Sequence, residues 1–316
     1  MPSLKQKKID ILSIGLCVVD ALGRPVDKFP EKGKLTVFDK MELHVGGCAA
    51  ATAIATAKMG AKTTLVGKIG ADGLGDFFLN YTGESGANVS HISRDRTHST
   101  AFTFVAISSD GNRTFFHCPG ADNSFSIEDV DMKLVKSAQI VHIGGVFVMD
   151  LFDGNQMHQV LKAAKNAGAI TSIDTAYNPK RSPEEVVGKS FPFIDYFFTG
   201  YEEGVYITGR KNYRDIASYL LDRGCKTAIV KRGEKGSYVL NKDRKFDIKP
   251  FPATVVDTCG AGDVYVGGFL FGILQGWSVE KCARMGALLA SYSISAMGGT
   301  AGVPKIDDLG YIESLI

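Results

Sequence analysis

The heptapeptide Asp257-Thr-Cys-Gly-Ala-Gly-Asp263 is the most informative stretch of this chain. It follows a β-rich run at 253–256 and precedes an apolar segment at 264–274 that is typical of a buried helix. Small residues at 260–262 leave backbone N–H groups open at a helix N-terminus, where free donors and the helix dipole attract anions. The heptapeptide therefore predicts either an anion site beside the Asp263 carboxylate or a glycine-rich turn in which Asp263 only caps the helix.

Strands and helices alternate along most of the chain before this motif. The sequence predicts strands at 9–15, 62–68, 139–143, 169–173, 196–199 and 228–231, and helices at 48–59, 74–82, 156–167, 183–188 and 212–223. Such βαβ repetition predicts a mostly parallel sheet covered by helices on both faces. Because no linker or repeat divides the chain, we expect residues 1–316 to form a single α/β domain.

Two segments, 20–46 and 99–118, have a different pattern. The first contains short alternating runs at 35–38 and 41–45 among proline and glycine residues. The second contains two β-rich runs that flank Ser108-Ser-Asp-Gly-Asn112, which is a hairpin signal. We expect the two segments to form one small antiparallel sheet that is inserted into the α/β domain.

The composition is that of an ordinary globular protein, with 45% hydrophobic and 22% charged residues among 316. The 36 lysines and arginines nearly balance the 34 acidic residues, so neither nucleic acid nor a membrane surface is an expected partner. Six dispersed cysteines without CxxC spacing argue against a zinc site, a redox motif or a disulfide framework. Without a signal peptide or a long apolar run, a cytoplasmic location is expected.

The heptapeptide and the following Val-Tyr-Val-Gly-Gly268-Phe-Leu resemble the C-terminal signature of ribokinase-like (PfkB) carbohydrate kinases. The resemblance extends over almost the whole chain, and its other segments are Gly46-Gly47, Gly67-Lys-Ile-Gly70-Ala-Asp72-Gly-Leu-Gly75, Lys231-Arg-Gly233-Glu-Lys-Gly236 and Gly298-Gly-Thr-Ala-Gly302-Val-Pro304. It implies a ribokinase-like three-layer α/β/α sandwich. In this family the segments 20–46 and 99–118 correspond to a β lid.

The resemblance also implies an ATP-dependent kinase that phosphorylates a hydroxymethyl group of a sugar. Asp263 would be the general base, and the backbone of Gly260, Ala261 and Gly262 would form the anion hole for the transferring phosphoryl group. This agrees with the argument from the residues, because phosphoryl transfer depends mainly on positioning and charge stabilisation. The chain has no GxxxxGK[ST] sequence, which excludes a P-loop kinase.

On the nucleotide side, Gly233 and Gly236 resemble the turn that lies along ATP. The other expected nucleotide contacts are Lys231, Thr258, Gly260 and Gly262. Close packing of helix against sheet is the alternative role for such small residues.

The family's metal-binding motif is only partly retained in this chain. The Mg²⁺-linked motif Asn-x-x-Glu appears here as Gly200-x-x-Glu203, so Glu203 is retained and the asparagine is lost. A one-residue shift would place Glu202 there instead. Asp174 resembles an aspartate whose loop lies near the metal, and Asp257 matches a position that binds a monovalent cation such as K⁺ in some members.

For the substrate, Asp20 resembles the aspartate that binds sugar hydroxyls through charge-assisted hydrogen bonds. Gly46 and Gly47 belong to the same expected pocket. Arg113, in the expected lid, is a candidate for binding an anionic substrate group, and a solvated surface charge is the alternative.

Two substrate positions depart from ribokinase. Val18 and Ala51 replace asparagines, so the pocket lacks two amides and should not hold ribose as ribokinase does. The combination is more similar to some sugar-phosphate or sulfosugar kinases of the family.

Other functions remain open at this point. A nucleoside kinase shares the fold, and a non-catalytic sugar or nucleotide sensor would explain the lost asparagines, although it would not need Asp263. A dinucleotide-binding oxidoreductase is rejected, because Gly15-Leu-Cys-Val-Val replaces GxGxxG after the first strand. Since lids of this family often pair between subunits, we expect a homodimer.

Overall fold

A computed structural model describes residues 8–310 and 316 of the chain. Its strands are β1 (Ile9–Gly15), β2 (Val18–Arg24), β3 (Lys40–Gly46), β4 (Thr63–Val66), β5 (Lys68–Gly70), β6 (Ser93–Asp95), β7 (Ala101–Ile107), β8 (Arg113–Cys118), β9 (Ala138–Val146), β10 (Ile170–Thr175), β11 (Tyr196–Gly200), β12 (Thr227–Lys231), β13 (Ser237–Asn241) and β14 (Lys245–Ile248). Its α-helices are α1 (Cys48–Lys58), α2 (Gly73–Glu84), α3 (Met132–Ser137), α4 (Asn155–Asn166), α5 (Pro183–Val187), α6 (Tyr201–Thr208), α7 (Tyr213–Asp222), α8 (Ala261–Leu274) and α9 (Val279–Ser293).

The main sheet has eight strands in the order β14-β13-β12-β11-β10-β9-β1-β4. From β12 to β4 every neighbouring pair is parallel, whereas β13 and β14 complete one edge in antiparallel orientation. Helical crossovers connect the parallel strands, as such pairs require. The mostly parallel sheet predicted from the strand–helix alternation is confirmed, and the antiparallel edge formed by β13 and β14 was not predicted.

Both faces of this sheet are buried under helices. Val141 and Phe197 point into one apolar cluster with residues of α4 and α7, while their neighbours Ile140 and Phe198 join α8 and α9 on the other side. Side chains alternate between faces because a strand has a period of two. The result is a three-layer α/β/α arrangement, in agreement with the sequence analysis.

A smaller four-stranded sheet has the order β3-β2-β7-β8. The expectation of an antiparallel sheet is wrong in one respect, because β2 and β7, which come from the two separate segments, pair in parallel. The predicted strand at 35–38 is also absent. Leu35 and Val37 are 86% and 80% exposed, so no neighbouring strand covers their side chains.

The β-rich run at 253–256 does not form a strand. Val255 is 63% exposed, and the N–H groups of Val256 and Asp257 both donate to the Ile294 carbonyl at 2.7 and 3.2 Å. This connection fixes the start of the heptapeptide to the end of α9 instead of to a sheet.

Within the part of the chain that the structure describes, no helix is long and apolar enough to span a membrane.

Candidate active site

Charged side chains from three neighbouring strands converge at one edge of the main sheet. Asp174 lies near the end of β10, Lys231 ends β12, and Glu203 lies in the first turn of α6 directly after β11. The carboxyl ends of parallel strands meet at the same edge, where the sites of α/β proteins are found. Helix α8 begins beside them and supplies Asp263.

Lys231 forms the positive centre of this cluster. Its Nζ atom lies 2.7 and 2.8 Å from the two carboxylate oxygens of Asp174. Burial by itself would lower the pKa of Lys231, but the charges of Asp174, Glu203 and Asp263 raise it. The lysine is therefore held in its charged form among three acidic side chains, where it partly offsets their repulsion.

Glu203 is oriented by groups at the ends of β10 and β11. Its Oε2 atom accepts hydrogen bonds from the Thr175 hydroxyl and the Gly200 N–H, both at 2.7 Å. Its other oxygen accepts none from the described residues. Glu202, the predicted alternative, precedes Glu203 by one position in the same helix. It forms no hydrogen bond to this cluster within the described chain.

Asp263 is the third residue of α8. Its carbonyl accepts a hydrogen bond from the Thr52 hydroxyl of α1 at 3.0 Å, and its carboxyl group lies close to Cys48 and Asp174. Burial raises the pKa of Asp263, while the positive charge of Lys231 opposes that shift. A carboxylate with a raised pKa is a stronger proton acceptor than an exposed aspartate.

The turn before Asp263 presents unpaired donors. Within residues 8–310, the N–H groups of Gly260 and Gly262 donate to no other group. Gly260 has φ 68°, a backbone conformation that side chains disfavour. A Cβ atom on Gly262 would lie 3.0 Å from the Lys231 ammonium. Ala261 lies between them as the first residue of the helix, so the three predicted anion-hole residues stand at the open end of α8.

Asp20 lies on β2, between His44 of β3 and Thr103 of β7 in the small sheet. Burial raises the pKa of Asp20 to about 6; a hydrogen bond with Thr103 lowers it, and repulsion from Asp257 and Asp263 raises it further. The small sheet thus directs one carboxylate toward the heptapeptide.

Gly46 and Gly47 connect β3 to the start of α1 beside Asp20. A Cβ atom on Gly46 would overlap the Asp20 carboxylate. Glycine is needed there for a close approach of the two strands, so this pair shapes the pocket around Asp20.

Arg113, at the start of β8, reaches the first residues of the heptapeptide. Its Nη1 atom lies 3.0 Å from the Thr258 hydroxyl, 3.1 Å from Asp257 Oδ1 and 3.3 Å from Cys259 Sγ. The predicted substrate residue Arg113, the predicted nucleotide residue Thr258 and the predicted cation residue Asp257 are therefore in mutual contact.

Gly233 and Gly236 lie in the tight turn between β12 and β13, directly after Lys231. The turn is closed by a hydrogen bond of 2.8 Å from the Arg232 N–H to the Gly236 carbonyl. It stands at the same sheet edge as the heptapeptide, at the position that the sequence analysis assigns to ATP.

Some site residues were not identified from the sequence. Cys48 contacts Asp263, and Thr175 orients Glu203. The position of Cys48 directly after Gly46-Gly47, at the start of a helix, was a usable signal. No signal in the sequence points to Thr52, because a threonine inside an alanine-rich helix is ordinarily part of the packing.

Comparisons with known proteins agree with this geometry. The model of the pfkB family of carbohydrate kinases matches residues 8–306. The chain is 27% identical over 321 residues to a 5-dehydro-2-deoxygluconokinase of Clostridium beijerinckii, covering 96% of this chain and 92% of that protein.

Two solved structures extend the comparison. A putative ribokinase II from E. coli, in complex with ATP and Mg²⁺, superposes with a TM-score of 0.84 at 18% identity, covering 98% of this chain and all of the other. A nucleoside kinase of Methanocaldococcus jannaschii gives a TM-score of 0.80 at 26% identity and covers 98% of both chains. The fold, the heptapeptide and the family match agree, and the chain belongs to the pfkB family of carbohydrate kinases.

Proposed function

We propose that this protein is a kinase that transfers the γ-phosphate of ATP to a hydroxymethyl group of a sugar or sugar derivative. The observation that carries the proposal is Asp263, a half-buried carboxylate that directly follows the free N–H groups of Gly260 and Gly262. The proposal treats residues 1–316 as one catalytic domain, with the small sheet acting as a lid.

In this mechanism Asp263 accepts the proton of the substrate hydroxyl. The hydroxyl oxygen forms a bond to the γ-phosphorus while the bond from phosphorus to the bridging oxygen breaks, and ADP leaves with that electron pair. The N–H groups of residues 260–262 donate to the oxygens of the transferring group, and the dipole of α8 supports them. A raised pKa suits Asp263 to take the proton near neutral pH.

The chemistry of the acidic cluster fits Mg²⁺ bound together with ATP. Asp174, Glu203 and Asp263 outnumber the single cation Lys231, so the cluster would repel bare phosphates. No group of three or more acidic, histidine or cysteine side chains in the described residues could hold a metal alone. This is the pattern expected when Mg²⁺ keeps its waters and phosphate ligands, and Glu203 would hold it through the oxygen that accepts no protein hydrogen bond.

The remaining nucleotide contacts are proposed because these residues lie next to the open end of α8. Lys231 abuts Gly262 and would contact the phosphates, and the turn with Gly233 and Gly236 would lie along the nucleotide. Thr258 borders the same end of α8, although its hydroxyl already accepts a hydrogen bond from Arg113.

The sugar would be oriented by Asp20, since a carboxylate that accepts two hydroxyl protons fixes both distance and direction. The buried Val18 and Ala51 offer no amide, which argues against ribose. The relative named 5-dehydro-2-deoxygluconokinase favours a sugar acid. A nucleoside is the second candidate, on the 26% identity to a nucleoside kinase.

The proposal includes a homodimer formed through the small sheet. Large apolar side chains are exposed on this sheet and on the segment between β2 and β3: Phe29, Leu35, Val37, Met41, Phe115 and Phe116. Exposed apolar side chains in such number on one part of a protein are typical of an interaction site.

The function is tested by measuring ADP release from Mg-ATP with 5-dehydro-2-deoxygluconate, free sugars, sugar phosphates and nucleosides. We expect turnover with one class, and a decrease in kcat of about two to four orders of magnitude in Asp263→Asn. ATP should still raise the melting temperature of the variant, because the amide keeps the shape of the site.

Near-normal turnover in Asp263→Asn would remove this residue as the base. If no acceptor is phosphorylated while ATP or a sugar still raises the melting temperature, the non-catalytic sensor becomes the better description.

A further inference from the structure

Asp257 is a buried carboxylate whose two oxygens are both engaged. Its side chain is 1% exposed. Oδ1 accepts the Cys259 N–H at 2.9 Å and lies 3.1 Å from Arg113 Nη1, while Oδ2 accepts the Gly298 N–H at 2.8 Å. A buried ionised carboxylate needs both hydrogen bonds and an opposite charge, and among the described residues Arg113 is the only cation paired with it.

This carboxylate joins two segments that form the end of α8. Gly260 packs on Gly299, since a Cβ atom on Gly260 would lie 3.1 Å from the Gly299 Cα. The Ser293 hydroxyl donates to the Gly299 carbonyl. The arrangement of the turn at 260–262 therefore depends on the loop at 298–299, and Asp257 bonds directly to that loop.

The small sheet contacts this junction from two of its strands. Arg113 extends from β8 to Asp257, and its side chain is 17% exposed. His44 of β3 packs against Gly298, where a Cβ atom would overlap its imidazole ring. Thus the sheet that carries Asp20 also provides the charge that neutralises Asp257.

A monovalent metal ion does not fit beside this pair. The family resemblance assigns a cation to Asp257, yet a guanidinium already contacts Oδ1 and the neighbouring Thr258 hydroxyl. Arg113 would repel a second cation at the same oxygens, and this repulsion is strong because the site is buried and little water screens it.

We propose that the Arg113 guanidinium permanently replaces a monovalent metal ion at Asp257, and that this pair holds the Gly260–Gly262 turn in its catalytic arrangement while the small sheet is in place. The proposal rests on the kinase function above. Arg113 acts here as a positioning residue, because it reaches the reacting groups only through Asp257. Phosphorylation should then not depend on K⁺.

The first test compares the wild-type protein in chloride salts of K⁺, Na⁺ and tetramethylammonium at equal ionic strength. We expect kcat to agree within about twofold and K⁺ to leave the melting temperature unchanged. A strong requirement for K⁺, or a melting temperature that rises specifically with K⁺, would overturn the proposal.

The second test removes the cation and supplies it from solution. In Arg113→Ala we expect kcat to fall about tenfold or more, and to recover in a saturable manner when guanidinium or K⁺ is added. Arg113 borders a cavity of about 360 Å³ between the small sheet and residues such as Val256 and Met297, through which a small cation can enter. Arg113→Lys should retain more activity, because an ammonium preserves the charge.

The matched control is Arg24→Ala, which removes another arginine of the small sheet that lies 3.9 Å from Met297 Sδ and does not contact Asp257. Its kcat should be unchanged, with no gain from guanidinium. Equal gains in both variants, or no gain in Arg113→Ala, would contradict the proposal. If Arg113→Ala fails to fold, Arg113→Met with Asp257→Asn tests the same charge balance, and the double variant should be more active than either single one.

The melting measurements separate this inference from the proposed function. A wild-type protein that phosphorylates no acceptor contradicts the kinase. A specific gain of melting temperature with K⁺ or guanidinium in Arg113→Ala, absent from the wild type, would still support the replacement of the ion.

Discussion

Asp20 combines two properties that oppose each other at the level of a single residue. The proposed binding of a sugar would require its ionised form, which accepts hydrogen bonds, whereas burial between β3 and β7 favours its neutral form. Repulsion from Asp257 and Asp263 adds to the cost of its charge. In the proposed role, Asp20 would lower the stability of the folded protein in exchange for a pre-arranged ligand site.

We predict that Asp20→Asn stabilises the protein at high pH and weakens substrate binding. The pKa of Asp20 rises from an ordinary 3.8 to about 6 on folding, so the folded state binds this proton more tightly. The stabilisation is fully present below about pH 4 and is lost as the pH rises through about 6. The asparagine variant should thus be more stable by up to about 3 kcal/mol near pH 8 and unchanged near pH 4.

Urea unfolding at the two pH values measures the difference, and Asp215→Asn on the exposed side of α7 is the control. The KM for the sugar should rise in Asp20→Asn with ATP binding unaffected. Equal stability of wild type and variant at both pH values would mean that Asp20 is solvated, and an unchanged KM would remove it from the pocket.

Residues of the site could be predicted where chemistry and spacing agree. Asp263 and the turn before it follow from small residues that precede an apolar helix. The structure places Lys231 and Glu203 at the adjacent edge of the main sheet and Asp20 on the small sheet. The contact between Arg113 and Asp257 could not be predicted, because it joins positions 144 residues apart (257 minus 113) through the pairing of the two sheets.

At the level of elements, α1 and α8 meet at a contact that positions the proposed base. Gly267 of α8 faces Ala55 of α1, and Thr52 of α1 donates to the Asp263 carbonyl at 3.0 Å. Small residues at this interface allow the helices to approach until that hydrogen bond forms. The alanine-rich sequence of α1 and the glycines of α8 therefore determine the position of the proposed base as well as the packing of the two helices.

We predict that Gly267→Ala pushes α8 away from α1. The new Cβ atom would lie 2.6 Å from the Ala55 Cβ and 3.3 Å from the Thr52 carbonyl, so the helices must separate. Overpacking of this kind costs about 1–3 kcal/mol, and kcat should fall because Asp263 moves with its helix. Chemical denaturation and ADP release measure the two effects.

Gly73→Ala, at the first residue of α2, is the matched control. A Cβ atom at position 73 meets nothing within 4 Å, so this substitution should change stability by no more than about 1 kcal/mol and leave kcat unchanged. A Gly267→Ala variant as stable and as active as this control would show that the two helices tolerate a wider spacing.

Strands and helices could be predicted where the hydrophobic pattern of the sequence reflects burial, as it does in the main sheet and the helices that cover its two faces. The predicted strand at 35–38 is wrong, and the β-rich run at 253–256 likewise lies outside any sheet. Leu35 and Val37 are exposed, and the backbone at 256–257 bonds to the end of α9. Local preference does not reveal whether a partner strand is available, and the parallel pairing of β2 with β7 likewise depends on contacts distant in sequence.

For the whole molecule, the last prediction concerns the exposed apolar residues of the small sheet and of the segment between β2 and β3. Leu35 and Val37 are almost fully exposed, so replacing them should not disturb the folded monomer. We predict that the wild-type protein is a dimer in solution and that the double variant Leu35→Asp, Val37→Asp is monomeric. Buried charges at the interface would be costly to desolvate.

Sedimentation velocity over a range of protein concentrations measures the association, and Leu151→Asp is the control, because Leu151 is 54% exposed but lies outside the small sheet. The control should remain dimeric. If the dimer positions the small sheet over the site, the monomeric variant will show a raised KM for the sugar with a nearly unchanged Kd for ATP. A wild-type protein that is monomeric at every concentration would assign the exposed apolar surface to another role, and Asp20 and Arg113 would then have to act within a single chain.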